Sequence, residues 1–112
     1  MPRFYAQGDV VFVPVSALPG SLVPVPPVHG RLIFAYGEVT GHHHSIPAGE
    51  GVALLEAPGL LPHRYLTIAE LIGEVGVEHQ EHGTVRLPPG LYEVRRQREA
   101  TDNDEGWVNV AD

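Results

Sequence analysis

The sequence predicts an all-β protein, a small single-domain β-barrel or sandwich of about seven or eight short strands with at most one short helix. Its apolar runs are short and rich in valine and isoleucine, which favour strands. Turn residues separate these runs, and 13 glycines and 11 prolines occur in 112 residues. A chain of this length forms one hydrophobic core without disulfides, so residues 1–112 are predicted to be one domain.

Four strands are predicted in the first half of the chain. Val10–Val15 follows a Gly-Asp turn, and Arg31–Tyr36 is a second β-branched and aromatic run. The proline-rich segment 18–30 between them is predicted to be an extended connection, because proline cannot donate to a β-ladder. A third strand carries the histidines at 42–44, and a fourth spans Val52–Glu56.

The second half of the sequence predicts a strand at 65–68, followed by a turn or one short helix at 69–72. The glycines at 73 and 76 limit the length of this helix. Strands at 84–87 and 91–98 are joined by a Pro-Pro-Gly turn. An acidic tail begins at about residue 100. Its Trp107 is expected to pack on the domain or on a neighbouring subunit.

Composition and charge exclude several functional classes. The formal charge of −7 argues against a nucleic-acid partner, since binding phosphates requires an excess of cations. The absence of cysteine excludes disulfides and thiolate metal ligands. No apolar run is long enough for a membrane span, and no secretory signal is recognisable at the start. The expected protein is therefore soluble and cytoplasmic.

Three arginines, Arg95, Arg96 and Arg98, form a local basic group in this acidic chain. They are predicted to lie on a solvated strand edge and to pair with Glu93 and Glu99. Binding of a phosphate or an acidic partner is the alternative.

Five of the seven histidines lie in two short clusters, His42 to His44 and His79 with His82. Neutral imidazole is a common ligand for transition metals. In an extended strand, His42 and His44 share one face and His43 points to the other. The three-residue spacing of His79 and His82 brings them together on a helical turn or a kinked strand, which Gly83 permits.

The two clusters therefore predict one shared site in which His42, His44, His79 and His82 bind a divalent transition metal, namely Zn, Ni, Fe, Mn or Cu. Ligand type alone does not choose among these metals. Glu38, Glu78 and Glu81 flank the clusters and could act as ligands or as acceptors that orient imidazoles. The remaining histidines, His29 and His63, stand alone near prolines and are expected in loops.

The His-x-His pair after a glycine, followed by Glu50-Gly51 and a Leu-Pro-Pro-Gly turn at 87–90, resembles the metal-binding motifs of the cupins, small β-barrels that hold iron, manganese, zinc, nickel or copper. Only His42 and His44 match cupin ligand positions. Glu50 follows the pair later than the cupin glutamate does, and the last cupin histidine has no counterpart. The motifs GEVTGHxH and HxxH are also similar to those of small prokaryotic proteins of no assigned activity.

The sequence leaves three functions open. The first is a metal-binding protein, for which it identifies no catalytic residue and no organic cofactor site. The second, implied by the cupin resemblance, is a metal-dependent enzyme acting on a small polar substrate. Glu38 or Glu81 would then serve as its base, and Tyr36 or Tyr92 would line its pocket.

The third function is a non-catalytic assembly protein that self-associates through the 18–30 segment and the tail around Trp107. The spacing His-Gln-Glu-His differs from the zincin pattern His-Glu-x-x-His, so a metalloprotease is not predicted.

Overall fold

The computed structural model describes residues 4–37, 41–59 and 63–96. This part of the chain forms strands and a single 3₁₀ turn at Glu70–Ile72, so the all-β prediction with at most one short helix is confirmed. The strands are β1 (Tyr5–Gln7), β2 (Val10–Val15), β3 (Val23–Pro24), β4 (Arg31–Tyr36), β5 (His43–Pro47), β6 (Val52–Glu56), β7 (Arg64–Ile68), β8 (Val75–Val77), β9 (Val85–Leu87) and β10 (Gly90–Arg96).

The strands form one large sheet and two hairpins. The antiparallel sheet has the order β1-β2-β10-β7-β6-β3, and the hairpins are β4-β5 and β8-β9. A pair of backbone hydrogen bonds joins the hairpins, because Ser45 N donates to Glu78 O at 3.0 Å and Glu78 N donates to Ser45 O at 2.9 Å. The four hairpin strands therefore form a second layer beside the sheet.

The hydrophobic core lies between these layers. Phe12 of β2 meets Phe34 of β4 edge-to-face, with ring centroids 5.0 Å apart. Leu54 and Leu66 of the sheet and Ile46 of the second layer are fully buried in the same cluster. Of the two architectures that the sequence left open, the described residues form a sandwich-like arrangement and do not close into a barrel.

A β-bulge interrupts β4 beside the first histidine cluster. The pairing register of β4 with β5 shifts between Ile33 and Ala35, which is opposite His44. The extra residue lets two consecutive side chains, Phe34 and Ala35, both be buried. Bulges re-aim side chains next to functional sites, and this one lies directly opposite a proposed ligand.

The predicted bounds of β2, β4 and β6 agree with the structure, and β7, β9, β10 and the 3₁₀ turn differ from prediction by one or two residues. The strands β1, β3 and β8 were not predicted, because two or three residues are too short for an alternating pattern to be recognised. Strand β3 lies within the predicted proline-rich connection at 18–30. No helix among the described residues is long and apolar enough to cross a membrane.

Strand β10 lies inside the sheet over residues 91–94, where it pairs with β2 on one side and with β7 on the other. Arg95 and Arg96 pair with β2 alone, because the pairing with β7 ends at Val94 among the described residues, so the strand-edge prediction is not contradicted for these two arginines. Arg96 pairs with Asp9, a partner that the sequence did not predict. Arg98, Glu99, Trp107 and the acidic tail lie outside the described residues.

Substitution of Leu66 tests the central position of β7. Leu66 is fully buried, so Leu66→Ala is expected to lower the free energy of unfolding by about 2–5 kcal/mol, through lost apolar contact and the cavity left behind. Leu71→Ala is the matched control, because the Leu71 side chain is 99% exposed and should change stability by less than about 0.5 kcal/mol. Urea unfolding followed by circular dichroism measures both, and equal losses would contradict the assigned core.

Candidate metal site

The two histidine clusters meet at a pocket of about 330 Å³ at one end of the sandwich. The β1–β2 turn, the end of β4, the start of β5, the β8–β9 loop and the end of β10 form its wall. The lining residues are Gly8, Asp9, Gly37, His42, His44, His79, Glu81, His82 and Arg96.

His44 is the most buried histidine in this pocket, with 2% exposure. It shares a face of β5 with Ile46, which belongs to the core, so His44 continues the core-facing row to the pocket. The neighbouring residue His43 projects to the other side of the strand. It lines a second pocket with Arg31 and Ser45, as the strand alternation predicted, and His79 borders both pockets.

A buried glutamine, Gln7, fixes the orientation of His44. The Gln7 side-chain Nε2 donates to Val77 O and to Gly83 O, each at 2.8 Å. Because both acceptors are carbonyl oxygens, the amide can present only its oxygen to the remaining neighbour, Nδ1 of His44 at 2.8 Å.

That contact sets the tautomer of His44. An amide oxygen only accepts, so Nδ1 of His44 carries the proton and donates it to Gln7 Oε1. The other ring nitrogen, Nε2, keeps its lone pair. Metal-binding histidines are usually held in this way, by a hydrogen bond from the nitrogen that does not bind the metal.

Burial favours the neutral forms of His44 and His79. Desolvation lowers the pKa of His44 from 6.5 to about 4, reinforced by His79, His82 and Arg96 and opposed by the Asp9 carboxylate. Burial also lowers the pKa of His79, and repulsion from His82 and His42 adds to that effect. Neutral imidazole is the form that binds metal ions, so near neutral pH His44 needs no proton loss to act as a ligand.

Four imidazole rings lie side by side at the pocket. The ring centroid of His79 is 4.3 Å from that of His44, 4.5 Å from that of His82 and 5.8 Å from that of His42. His44 and His82 are stacked with centroids 5.8 Å apart. The structure thus brings together the four histidines that the sequence assigned to one site.

The β8–β9 loop explains how His79 and His82 meet. Nδ1 of His79 accepts the backbone N–H of Glu81 at 3.0 Å and that of His82 at 3.4 Å, which bends the loop back on itself. The proton of the neutral His79 ring is therefore on Nε2. His79 would have to turn before Nε2 could bind a metal ion.

Within residues 4–37, 41–59 and 63–96, no group of three or more His, Asp or Glu side chains is arranged to hold a metal ion as it stands. In the present arrangement Nδ1 of His79 is occupied by the loop backbone. The Glu81 carboxylate lies 2.8 Å from Nδ1 of His42 but makes no hydrogen bond with it. Metal binding therefore requires side-chain rotation at this pocket.

The charges around the pocket favour a cation. Asp9 and Glu81 contribute two carboxylates and Arg96 one guanidinium, so the lining has a net negative charge while the imidazoles are neutral. Arg96 pairs with one oxygen of Asp9, with Nε and Nη2 lying 2.9 and 2.6 Å from Oδ2. The other oxygen, Oδ1, lies 3.8 Å from Nε2 of His44.

Two glycines make room for the rings. Gly8 has a φ of +57°, and a Cβ at this residue would come within 2.8 Å of Nε2 of His82 and 3.3 Å of Cε1 of His44. At Gly37 a Cβ would lie 3.2 Å from Nε2 of His79. Larger residues at either position would push the histidines apart.

Other residues considered from the sequence lie away from the pocket. His29 and His63 are exposed, and His63 lies 3.7 Å from the Glu93 carboxylate. Glu50 is exposed in the β5–β6 turn and does not contribute to the pocket. Glu78 pairs with Arg31 at 2.6 Å on the other face of β5. Glu38 lies outside the described residues.

Tyr36 and Tyr92, which the enzyme interpretation placed at a substrate pocket, do not line the histidine pocket. Tyr36 is 59% exposed and contacts the His43 ring. Tyr92 is buried in the core, where its hydroxyl donates to Pro88 O at 2.6 Å. Burial raises the Tyr92 pKa to about 12, and Tyr5 adds to the shift. Tyr92 is therefore a structural side chain.

A protein-family profile described as a domain of unknown function, DUF8820, matches residues 6–97. The chain belongs to this family. The matched span includes every residue that lines the histidine pocket, from Gly8 to Arg96. No curated protein and no solved structure is detectably similar to the chain.

Sequence reasoning missed Gln7, Asp9, Gly37 and Arg96 at this site. Gln7 and Arg96 are distant from the histidines in sequence, and no motif connects them. The Gly-Asp pair at residues 8 and 9 was read only as a turn before β2, although a carboxylate there is a candidate ligand. A polar residue directly before such a turn, on the core-facing side of a short strand, is the signal that could have identified Gln7.

Replacing Gln7 with an apolar side chain of similar size tests its role. Gln7→Met leaves Val77 O and Nδ1 of His44 buried without their partner and also removes the partly buried bond to Gly83 O, so the free energy of unfolding should fall by about 2–5 kcal/mol. The matched control is Gln80→Met, because exposed Gln80 only accepts one backbone N–H from His43 and should cost less than about 1 kcal/mol. Urea unfolding gives both values, and ¹⁵N NMR of His44 should show loss of the fixed tautomer in the Gln7 variant alone.

The lowered pKa of His44 predicts a stability change with pH in protein kept free of metal by a chelator. The unfolded chain takes up this proton near pH 6.5 and the folded protein only near 4, so the stabilisation is fully present above 6.5 and falls as pH decreases from 6.5 to 4. The change should be on the order of 2–3 kcal/mol, and His79 adds in the same direction. Urea unfolding between pH 4 and 7 should show a smaller slope for His44→Gln than for the wild type, and identical slopes would contradict the assignment.

Proposed function

We propose that the protein binds one divalent transition-metal ion at the pocket formed by His42, His44, His79 and His82. The observation that carries this proposal is the hydrogen bond between Gln7 and His44. This bond holds the buried His44 ring in the tautomer that has its lone pair on Nε2, the nitrogen proposed to bind the metal. Three further imidazoles line the same pocket.

The spacing of the rings supports this function. Two imidazoles on one ion, with metal–nitrogen distances of about 2.0–2.1 Å, have ring centroids roughly 4.5–5 Å apart in octahedral or tetrahedral geometry. The observed centroid separations range from 4.3 to 5.8 Å in the four ring pairs that His79 makes with the other three histidines and His44 makes with His82. These separations are close to those that a shared ion requires.

The roles of the four histidines differ. His44 is the proposed anchor, because Gln7 already orients it. His42 and His82 are the proposed additional ligands, and His79 joins them only after giving up its bonds to the β8–β9 loop backbone. Three protein ligands would leave an open coordination position for a Lewis-acid role, whereas four would give a closed structural site.

The cupin-like enzyme, the self-associating assembly protein and the cytoplasmic location expected from the sequence stay predictions. No feature of the described pocket identifies a substrate. Assembly through histidine contacts would weaken near pH 6 with or without a chelator. Light scattering separates this behaviour from a mass that responds to chelator alone.

Metal loading of untagged protein tests the proposal. Protein stripped by chelator and incubated with Zn(II), Ni(II), Co(II), Mn(II) or anaerobic Fe(II) should retain about one equivalent of at least one of them, measured by elemental analysis after desalting. Saturation at 100 times the dissociation constant should stabilise the fold by about 2.7 kcal/mol. His44→Ala should raise the dissociation constant by at least about tenfold.

The first cluster offers a matched control within three residues. His43→Ala removes an imidazole from the same strand but from the other face, and His63→Ala removes an exposed one. Both variants should keep the wild-type affinity. Wild-type protein that retains less than about a tenth of an equivalent of every metal tested would refute the proposed function, as would equal losses in the His43 and His44 variants.

A further inference from the structure

We infer that Asp9 is a direct metal ligand, so that the β1–β2 turn forms a third part of the site beside the two histidine clusters. This inference rests on the proposed metal-binding function and goes beyond it. It changes the site from imidazoles alone to a mixed nitrogen and oxygen set.

The first argument is the contact between Asp9 and His44. Gln7 accepts from Nδ1 of His44, so Nε2 is the nitrogen that faces Asp9, and in the neutral ring it carries a lone pair. Oδ1 of Asp9 lies 3.8 Å away and also offers only lone pairs. Two acceptors that approach without a proton between them repel each other, and a cation placed between them makes the same arrangement favourable.

The distance agrees with a shared ion. An ion about 2.0–2.1 Å from each atom would bridge a 3.8 Å separation with an angle of about 130–145° at the metal. Moving the two atoms about 0.4–0.5 Å closer gives the tetrahedral angle. The 45% exposed Asp9 side chain has the freedom to make this adjustment.

Arg96 supports the assignment by engaging the other carboxylate oxygen. Its two bonds go to Oδ2, which fixes the carboxylate with Oδ1 on the His44 side. Ligating carboxylates are commonly held through their second oxygen in this way. The ion pair thus orients Asp9 without using the atom that would bind the metal.

The same turn also admits His82. Nε2 of His82 lies against Gly8, where a Cβ would come within 2.8 Å, and Cε1 of His44 is on the same side of this glycine. His44, His82 and Asp9 therefore surround one turn and supply two nitrogens and one oxygen. Such a mixed set suits Fe(II), Mn(II) or Zn(II), and it leaves coordination positions open.

Cobalt binding to position 9 variants tests the inference directly. The chain contains no cysteine, so a thiolate-to-cobalt charge-transfer band in the near ultraviolet can arise only from an introduced one. Asp9→Cys loaded with Co(II) should show this band if side chain 9 binds the metal. Glu50→Cys is the control, since Glu50 is exposed far from the pocket and should give no band.

A second comparison uses affinity. Asp9→Asn keeps an oxygen for Arg96 but removes the charge, and it should raise the Co(II) dissociation constant about tenfold or more in competition with a chromophoric chelator. Glu50→Gln removes one charge at a distance and should change the constant by less than about twofold at physiological ionic strength. Circular dichroism and urea unfolding of the metal-free variants establish that each one is folded.

The outcomes separate the two proposals. A wild type that binds no Co(II) or any other metal refutes the proposed function and this inference together. A wild type that binds Co(II), with an Asp9→Asn variant of equal affinity or a folded, cobalt-loaded Asp9→Cys variant without the charge-transfer band, refutes the Asp9 assignment and leaves the histidine site standing. A band in Asp9→Cys with weakened binding in Asp9→Asn supports both.

Discussion

The side chain of Gln7 is the contact on which both the architecture and the site depend. Its amide joins β1 of the large sheet to β8 through a buried hydrogen bond and to the β8–β9 loop through a partly buried one. The same group holds His44 of β5. Because each polar atom of a buried amide must find a partner, the orientation of this residue determines which atom faces the histidine. Packing at this corner of the sandwich therefore requires a proton on Nδ1 of His44, which in the neutral ring leaves the lone pair on Nε2.

The turn after Gln7 places a second constraint on the molecule. A two-residue hairpin connection joins β1 to β2, and its first residue, Gly8, takes a positive φ that glycine adopts without strain. Absence of a Cβ also lets the rings of His44 and His82 approach the turn. Glycine at position 8 thus permits both the turn conformation of the backbone and the close approach of the two rings, and a side chain here would disturb both.

Much of the fold was predictable from the sequence because its longer strands carry their own local signals. β2, β4 and β6 are β-branched runs between turn residues, and alternation along β5 correctly separates His43 from His44. The convergence of the four histidines followed from their chemistry. The missing information concerned contacts between residues distant in sequence: Gln7 with Val77 and His44, and Asp9 with Arg96. The central position of β10 also depends on strand order, which no local pattern encodes.

A purely structural histidine cluster would be expected to satisfy its hydrogen-bonding groups within the protein, as most buried polar groups do. The two Nδ1 atoms that face the protein follow that rule, since Gln7 accepts from Nδ1 of His44 and Nδ1 of His79 accepts from the loop backbone. Nε2 of His44, which faces the pocket, departs from the rule, because in the neutral ring its lone pair lies near the Oδ1 carboxylate oxygen of Asp9. Protonating His44 would pair these atoms, but burial and the neighbouring rings oppose that charge and lower its pKa to about 4. A divalent cation supplies positive charge between these atoms without protonating an imidazole, and its coordination bonds offset the desolvation that burial imposes.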